Sequence, residues 1–126
     1  MDEPIAIVNT NESEGKELCA KLEECHFRAV CLDSLMSLEK HLQANPCRIL
    51  LLDFDSVPVS NRNIRELKRV YPGICIMGLS LSRFHPDLQE SIGTHVYAML
   101  TKPVDEDELI FLLKSIHEED ANSKDS

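Results

Sequence analysis

Short apolar runs and helix-period stripes alternate along this chain. Ile5-Ala6-Ile7-Val8 is a continuous apolar run, as expected of a parallel strand buried on both faces. Asn11 and Glu14 follow at the spacing of a capping box, and Leu18, Leu22 and Cys25 then recur at helical intervals. Residues 27–32 read as a second strand, and the charge of Arg28 inside it suits a sheet edge. Leu35, Leu38 and Leu42 mark a second helix, begun by Asp33 or Ser34 and ended before Pro46. Ile49-Leu50-Leu51-Leu52 is the clearest central strand. Ile64, Leu67 and Tyr71 predict a third helix, stopped by Pro72-Gly73, and residues 74–79 a fourth strand. A short, poorly marked helix follows Pro86, a good first-turn residue. Residues 96–100 form the fifth strand. Leu109, Leu112, Leu113 and Ile116 give the best helical stripe in the chain.

This alternation predicts a doubly wound five-stranded parallel sheet, because parallel neighbours need crossover helices. Ligands of such sheets bind beyond the carboxyl ends of the strands. The residues to watch are therefore Asn9, Thr10, Asp53 to Asp55, Ser80 and Lys102.

With 126 residues there is room for one domain, and 43% hydrophobic residues exclude disorder for its bulk. The net charge is −9, but residues 105–126 alone carry eight acids against two bases. Four of those acids, at 105–108, precede the last helix, where negative charge complements the helix dipole. The acids at 118–120 sit at its unfavourable end, so its C-terminus is expected to fray or continue into a linker, and residues 120–126 read as a disordered tail. An acidic chain does not offer the clustered positive charge that nucleic acid requires. The basic residues Arg62, Arg65, Lys68 and Arg69 fall on the polar side of the third helix and read as its solvated face.

Ile49–Leu52 is only four residues long, far short of the roughly 20 that a membrane span demands. The start of the chain, Met1-Asp2-Glu3-Pro4, is acidic where a signal peptide is basic. The five cysteines form no C-x-x-C pair and lie in apolar patterns, so they read as reduced, mostly buried thiols. Together these features predict a cytoplasmic protein.

Asp53 directly follows four aliphatic residues, Ser80 ends the fourth strand and Lys102 the fifth. A carboxylate, a hydroxyl and an ammonium on adjacent strand ends make a pocket for a phosphoryl group carried by the carboxylate. Asp53 is the nucleophile of such a pocket, Lys102 neutralises phosphoryl charge, and Ser80 donates to a phosphoryl oxygen.

In these segments, and in Leu100-Thr101-Lys102-Pro103 before an acid-capped helix, the chain resembles the receiver domain of bacterial two-component response regulators. The resemblance covers residues 4–118. It implies a flavodoxin-like (βα)5 fold with strand order 2-1-3-4-5, a receiver domain over residues 1–119, and a cis Lys102-Pro103 bond. It implies Asp53 as phosphoacceptor, Ser80 as switch hydroxyl, Lys102 as phosphate contact, and no enzyme activity beyond autophosphorylation and autodephosphorylation at Asp53. The implied cofactor is Mg²⁺, held by Asp53, the backbone carbonyl of Asp55 and the two residues after the first strand. The implied partners are a histidine kinase or phosphotransfer protein and a downstream protein or linked output domain. A homodimer through the fourth helix, fifth strand and fifth helix also belongs to the family's repertoire.

The departures matter as much. The two acids expected after the first strand are replaced by Asn9 and Thr10, weak ligands for a cation that prefers anionic oxygen. Glu12 or Asp55 offers compensation. Pro58 stands five residues after Asp53, one more than usual, and Met99 replaces the switch aromatic, with Tyr97 two residues earlier reading as an ordinary strand residue. The segment Arg83-Phe84-His85-Pro86 is also atypical, and His85 reads as a capping or solvent-facing residue. One alternative is a degenerate receiver that docks partners without phosphorylation. A second comes from another class: Asp53-Phe54-Asp55-Ser56-Val57 matches the nucleophile motif of haloacid-dehalogenase-type phosphatases, with Asp55 as general acid/base.

Overall fold

The computed structural model describes residues 3–83 and 85–125, with side chains described through Glu118. Five strands, β1 (Ile5–Val8), β2 (Ala29–Leu32), β3 (Ile49–Asp53), β4 (Cys75–Ser80) and β5 (Val96–Thr101), alternate with five helices. The helices are α1 (Glu12–Glu24), α2 (Leu35–Ala44), α3 (Asn61–Val70), α4 (Gln89–Thr94), entered through a 3₁₀ turn at Pro86–Leu88, and α5 (Glu106–Asp125). All strand pairings are parallel, as the alternation predicts, and the sheet order is β2-β1-β3-β4-β5, the flavodoxin-like order that the resemblance implies.

Alternate side chains of the central strands feed two cores, which is why these strands read as unbroken apolar runs. Ile5, Ile7, Ile49, Leu51, Met77 and Leu79 meet Leu22 of α1 and Leu109, Leu113 and Ile116 of α5 on one face. Ala6, Val8, Leu50, Leu52 and Ile76 meet Leu38 and Leu42 of α2 and Ile64 of α3 on the other. Each fully buried leucine or isoleucine here contributes about 1.5–3 kcal/mol. By contrast every residue of β2 is only half-buried, as an edge strand should be.

Local chemistry sets the helix starts. Asn11, Ser34 and Ser60 accept the N–H groups of Glu14, Ser37 and Asn63, and Asp105 Oδ1 accepts that of Glu108. The Asn11–Glu14 capping box closes from one side only. The Glu14 carboxylate turns away from α1 and contacts Lys102 instead, because a buried-edge ammonium is a stronger partner than a backbone amide.

Other boundaries also differ from the sequence pattern. β2 begins at Ala29 rather than at residue 27, since His26 at φ 70° makes the turn that ends α1. Phe27 is thereby spent on packing, stacked on His117 with ring centroids 6.1 Å apart. The backbone of α5 runs through Asp125, and no proline or glycine follows Pro103 in the sequence. The side chains of residues 119–125, and Ser126 altogether, lie outside the described residues.

The five cysteines are free as expected, but half-buried rather than buried. Burial, with the neighbouring Glu23 carboxylate, pushes the Cys19 thiol up to about 11. On α3, Arg65 pairs with Glu90 and Arg69 with Glu66 in solvent, whereas Lys68 leaves the solvated face to donate to the carbonyls of Pro72 and Ile74. Among the described residues no helix is long and apolar enough to cross a membrane.

Candidate functional site

The sheet register assembles the site. Asp53 lies opposite Leu79, one residue before Ser80, and Ser80 lies opposite Thr101, one residue before Lys102. The three predicted residues thus end adjacent strands at the carboxyl edge. The Lys102 N–H donates to the Ser80 carbonyl at 2.8 Å, which fixes the end of β5 against that of β4, and the Lys102-Pro103 bond that follows is cis.

Asp53 is 1% exposed and both of its carboxylate oxygens are engaged. Oδ1 lies 2.9 Å from Lys102 Nζ and accepts the Asp55 N–H at 3.2 Å. Oδ2 lies 2.8 Å from the Ser56 hydroxyl. Lys102 is a hub for three acids, since its Nζ also stands 3.2 Å from Asp55 Oδ2 and 3.2 Å from Glu14 Oε1. Desolvation works against the ammonium, but Asp53, Asp55 and Glu14 outweigh it and hold the lysine well above its ordinary range.

The Asp55 carboxylate, two residues on, faces the end of β4. Oδ1 accepts the Ser80 hydroxyl at 2.7 Å, and Oδ2 accepts the Leu81 N–H at 2.8 Å beside the Lys102 ammonium. Burial raises the Asp55 pKa, yet hydrogen bonds from Ser80, Leu81 and Lys102 prevail and hold its carboxyl below the usual aspartate range. With both oxygens engaged by Ser80, Leu81 and Lys102, this carboxyl is poorly placed to supply a proton, the role the phosphatase motif assigns to it. Its nucleophile also ends the third strand of this sheet, not the first.

The expected metal donors are turned to other uses. The Asn9 side-chain oxygen accepts the Asn11 N–H at 2.8 Å and lies 3.0 Å from the Ser56 hydroxyl. The Thr10 hydroxyl donates to the Ser56 carbonyl at 3.3 Å, and the Thr10 N–H donates to Ser56 Oγ at 3.1 Å. Glu12, the other acid that could compensate, pairs with Lys16 at 2.8 Å in solvent. Magnesium keeps several waters and prefers anionic oxygen for the rest, and of this donor set only the Asp53 side chain is anionic. Among the described residues no group of three or more His, Cys, Asp or Glu could hold a metal ion. The residues present are a poor fit to a magnesium centre, with one carboxylate where the resemblance implies three.

Three contributors escape the sequence reading: Ser56, Glu14 and the Leu81 amide. Ser56 carried a signal, since a hydroxyl three residues after an aspartate can return to its carboxylate. Glu14 carried none, because 88 residues separate it from Lys102. His85 lies against the loop, its Nε2 2.8 Å from the Ser82 carbonyl and its ring edge-on to Phe54 at 5.8 Å, and Phe84 lies outside the described residues. Met99, in place of the expected aromatic, covers Gly78 together with the Phe54 ring, and Tyr97 is 40% exposed on β5. Glu14, Leu79, Leu81, Lys102 and Pro103 help line a cleft of about 360 Å³ that opens beside the site.

Neither a family model nor a curated protein matches the sequence. Solved structures do match the fold. The signal receiver domain of an HD domain-containing protein from Pseudomonas fluorescens Pf-5 superposes with a TM-score of 0.84 at 16% identity, over 99% of this chain and 94% of that one. A response regulator receiver domain protein (CheY-like) from Methanospirillum hungatei JF-1 gives 0.83 at 14% identity, over 97% and 99%. The beryllofluoride-activated NtrC4 receiver domain gives 0.80 at 21% identity, over 92% and 97%. The chain has the fold of response-regulator receiver domains.

Proposed function

We propose that this chain is a receiver-type signalling module that docks its partner with Asp53 unmodified. The observation that carries this reading is the closure of the strand-end pocket on itself. The Lys102 ammonium is shared by Asp53, Asp55 and Glu14, so the charge suited to neutralising a phosphoryl group is already balanced by the chain. The donors that would bring a divalent cation to Asp53 are neutral and hydrogen-bonded elsewhere. What the fold offers is surface. Tyr97 on β5 and Phe111 on α5, 40% and 68% exposed, are large apolar side chains suited to contact with a downstream protein, a linked output domain or a second copy.

A second reading is favoured by one specific contact, the buried Asp53 carboxylate 2.9 Å from Lys102. Here a histidine kinase or phosphotransfer protein is the phosphoryl donor. An Asp53 oxygen attacks phosphorus, a P–O bond forms, the P–N bond of phosphohistidine breaks, and its electron pair returns to the imidazole.

One experiment separates the two. The chain is incubated with acetyl phosphate and Mg²⁺ and its intact mass is measured beside Asp53→Asn. The docking reading expects both proteins to stay unmodified. Gain of one phosphoryl group by the wild type and not by Asp53→Asn overturns it in favour of the second.

A further inference from the structure

The end of β4 and the end of β5 point three donors at one place: the Ser80 hydroxyl, the Leu81 backbone N–H and the Lys102 ammonium. A hydroxyl, an amide and a cation that converge from a rigid sheet edge form a cradle for an oxyanion, since charge-assisted donors fixed in place need no reorganisation to hold it. The cradle is continued by the Ser82 N–H, which donates to Ser80 Oγ at 3.0 Å and fixes the hydroxyl oxygen. Ser80 itself is 1% exposed.

The cradle already holds an anion, and that anion belongs to the chain. Asp55 places one carboxylate oxygen 2.7 Å from Ser80 Oγ and the other 2.8 Å from the Leu81 nitrogen and 3.2 Å from Lys102 Nζ. The tether is short, because the Asp55 backbone N–H is itself bonded to Asp53 Oδ1 at 3.2 Å. We propose that Asp55 is a tethered occupant of the Ser80–Leu81–Lys102 cradle and competes there with an oxyanion of the phosphoryl class. Asp55 thereby decides whether the pocket accepts such a group, and it holds the β4 and β5 ends in the arrangement that an external anion would otherwise impose. The inference rests on the reading of the chain as a receiver-type module. It explains why that module would work unmodified: the covalent signal has a permanent substitute built into the sequence.

Competition has a definite consequence. A ligand bound intramolecularly through a short link acts at a high effective concentration, and the apparent affinity of a free competitor falls by the fraction of time the cradle is empty. Inorganic phosphate should therefore bind Asp55→Ala at least about tenfold more tightly than the wild type. The cleft beside Leu81 and Lys102 gives it a route in.

The test follows the Leu81 and Ser82 amides of the ¹⁵N-labelled full chain by NMR during titration with inorganic phosphate, against sodium chloride at matched ionic strength. In the wild type these amides are expected to show no saturable shift. In Asp55→Ala the Leu81 amide moves upfield on loss of its acceptor, and phosphate returns it saturably. Asp55→Asn, close in shape and without the charge, is carried in parallel so that a misfolded alanine variant still leaves a measurement, and it too should gain phosphate binding. Ser80→Ala in either background should lose the gain. An unmoved Leu81 amide in Asp55→Ala overturns the proposal, as do equal phosphate titrations of wild type and variants or the absence of any titration in the folded variants. Failure of the docking reading is seen separately, as acetyl phosphate labelling of the wild type.

Discussion

The Lys102 ammonium stands 2.9 Å from Oδ1 of Asp53, a carboxylate that is 1% exposed, while Lys102 itself keeps 13% of its side-chain surface. The pair is asymmetric. Lys102 has two further carboxylates, Asp55 and Glu14, whereas Asp53 has no cation besides Lys102 among the ion pairs of the described residues.

That asymmetry predicts unequal costs for removing the two partners. Lys102→Met leaves a buried carboxylate uncompensated and should destabilise the fold by about 3–5 kcal/mol. Asp53→Asn leaves Lys102 between Asp55 and Glu14 and should cost less than half as much. The double variant should recover part of the Lys102→Met loss. Urea denaturation of the three proteins measures this, and equal losses for the two single variants would contradict it.

Acid should act on Asp55. Its carboxyl is held below the usual 3.8, chiefly by hydrogen bonds from Ser80, Leu81 and Lys102 that overcome the opposing effect of burial. A lowered folded-state pKa contributes stability that is present above the unfolded value and is lost as pH falls through the folded one. Stability should therefore fall below about pH 4 more steeply in the wild type than in Asp55→Asn. The converse holds for Lys102, raised above its usual 10.5, whose contribution is complete below that value and is lost only as pH rises through the folded one. Chemical denaturation at stepped pH, with the two curves converging toward acid, checks the first of these.

Most of the fold was legible because strands buried on both faces, such as Ile5–Val8 and Ile49–Asp53, must be apolar throughout, and helices between them must carry stripes. The positions of Asp53, Ser80 and Lys102 were legible for a related reason: each is the first polar residue, or the second, after an apolar run. Their contacts were less so. Asp55 read as a metal ligand through its backbone or as a catalytic acid, because a sequence does not say which way a loop carboxylate turns. Only the register of Ser80 against Thr101, with the β4–β5 irregularity between Ile76 and Met77, sets the cradle that captures it. The Glu14–Lys102 contact is similarly invisible, since the helix-capping pattern at Asn11 accounts for Glu14 without reference to residue 102.

Gly78 supplies a prediction about packing beneath the site. A Cβ there would stand 2.5 Å from Met99 Sδ and 3.0 Å from two carbons of the Phe54 ring. The flexible Met99 side chain can swing aside, but the ring is held between β4 and His85. Gly78→Ala should cost about 1–3 kcal/mol as an overpacked strand position. Combined with Met99→Ala, the losses should fall short of additive, because the second substitution opens the space the first one needs. Thermal and urea unfolding of the three variants gives the coupling.

The neutral residues after β1 supply a prediction about metal. Wild-type chain should show no saturable Mg²⁺ binding by titration calorimetry, since Asn9 and Thr10 bring no charge and their side-chain oxygens serve Asn11 and Ser56. Replacing both, Asn9→Asp with Thr10→Asp, puts two carboxylates beside Asp53, and three anionic oxygen donors are a reasonable set for a hard cation. The double variant should be less stable than the wild type without metal, because like charges crowd a buried acid, and Mg²⁺ should restore that loss by binding only the folded chain. A rise in melting temperature with Mg²⁺ in the double variant alone is the expected result. An equal rise in the wild type would mean that Asp53 finds other ligands, and the misfit of the metal site would be wrong.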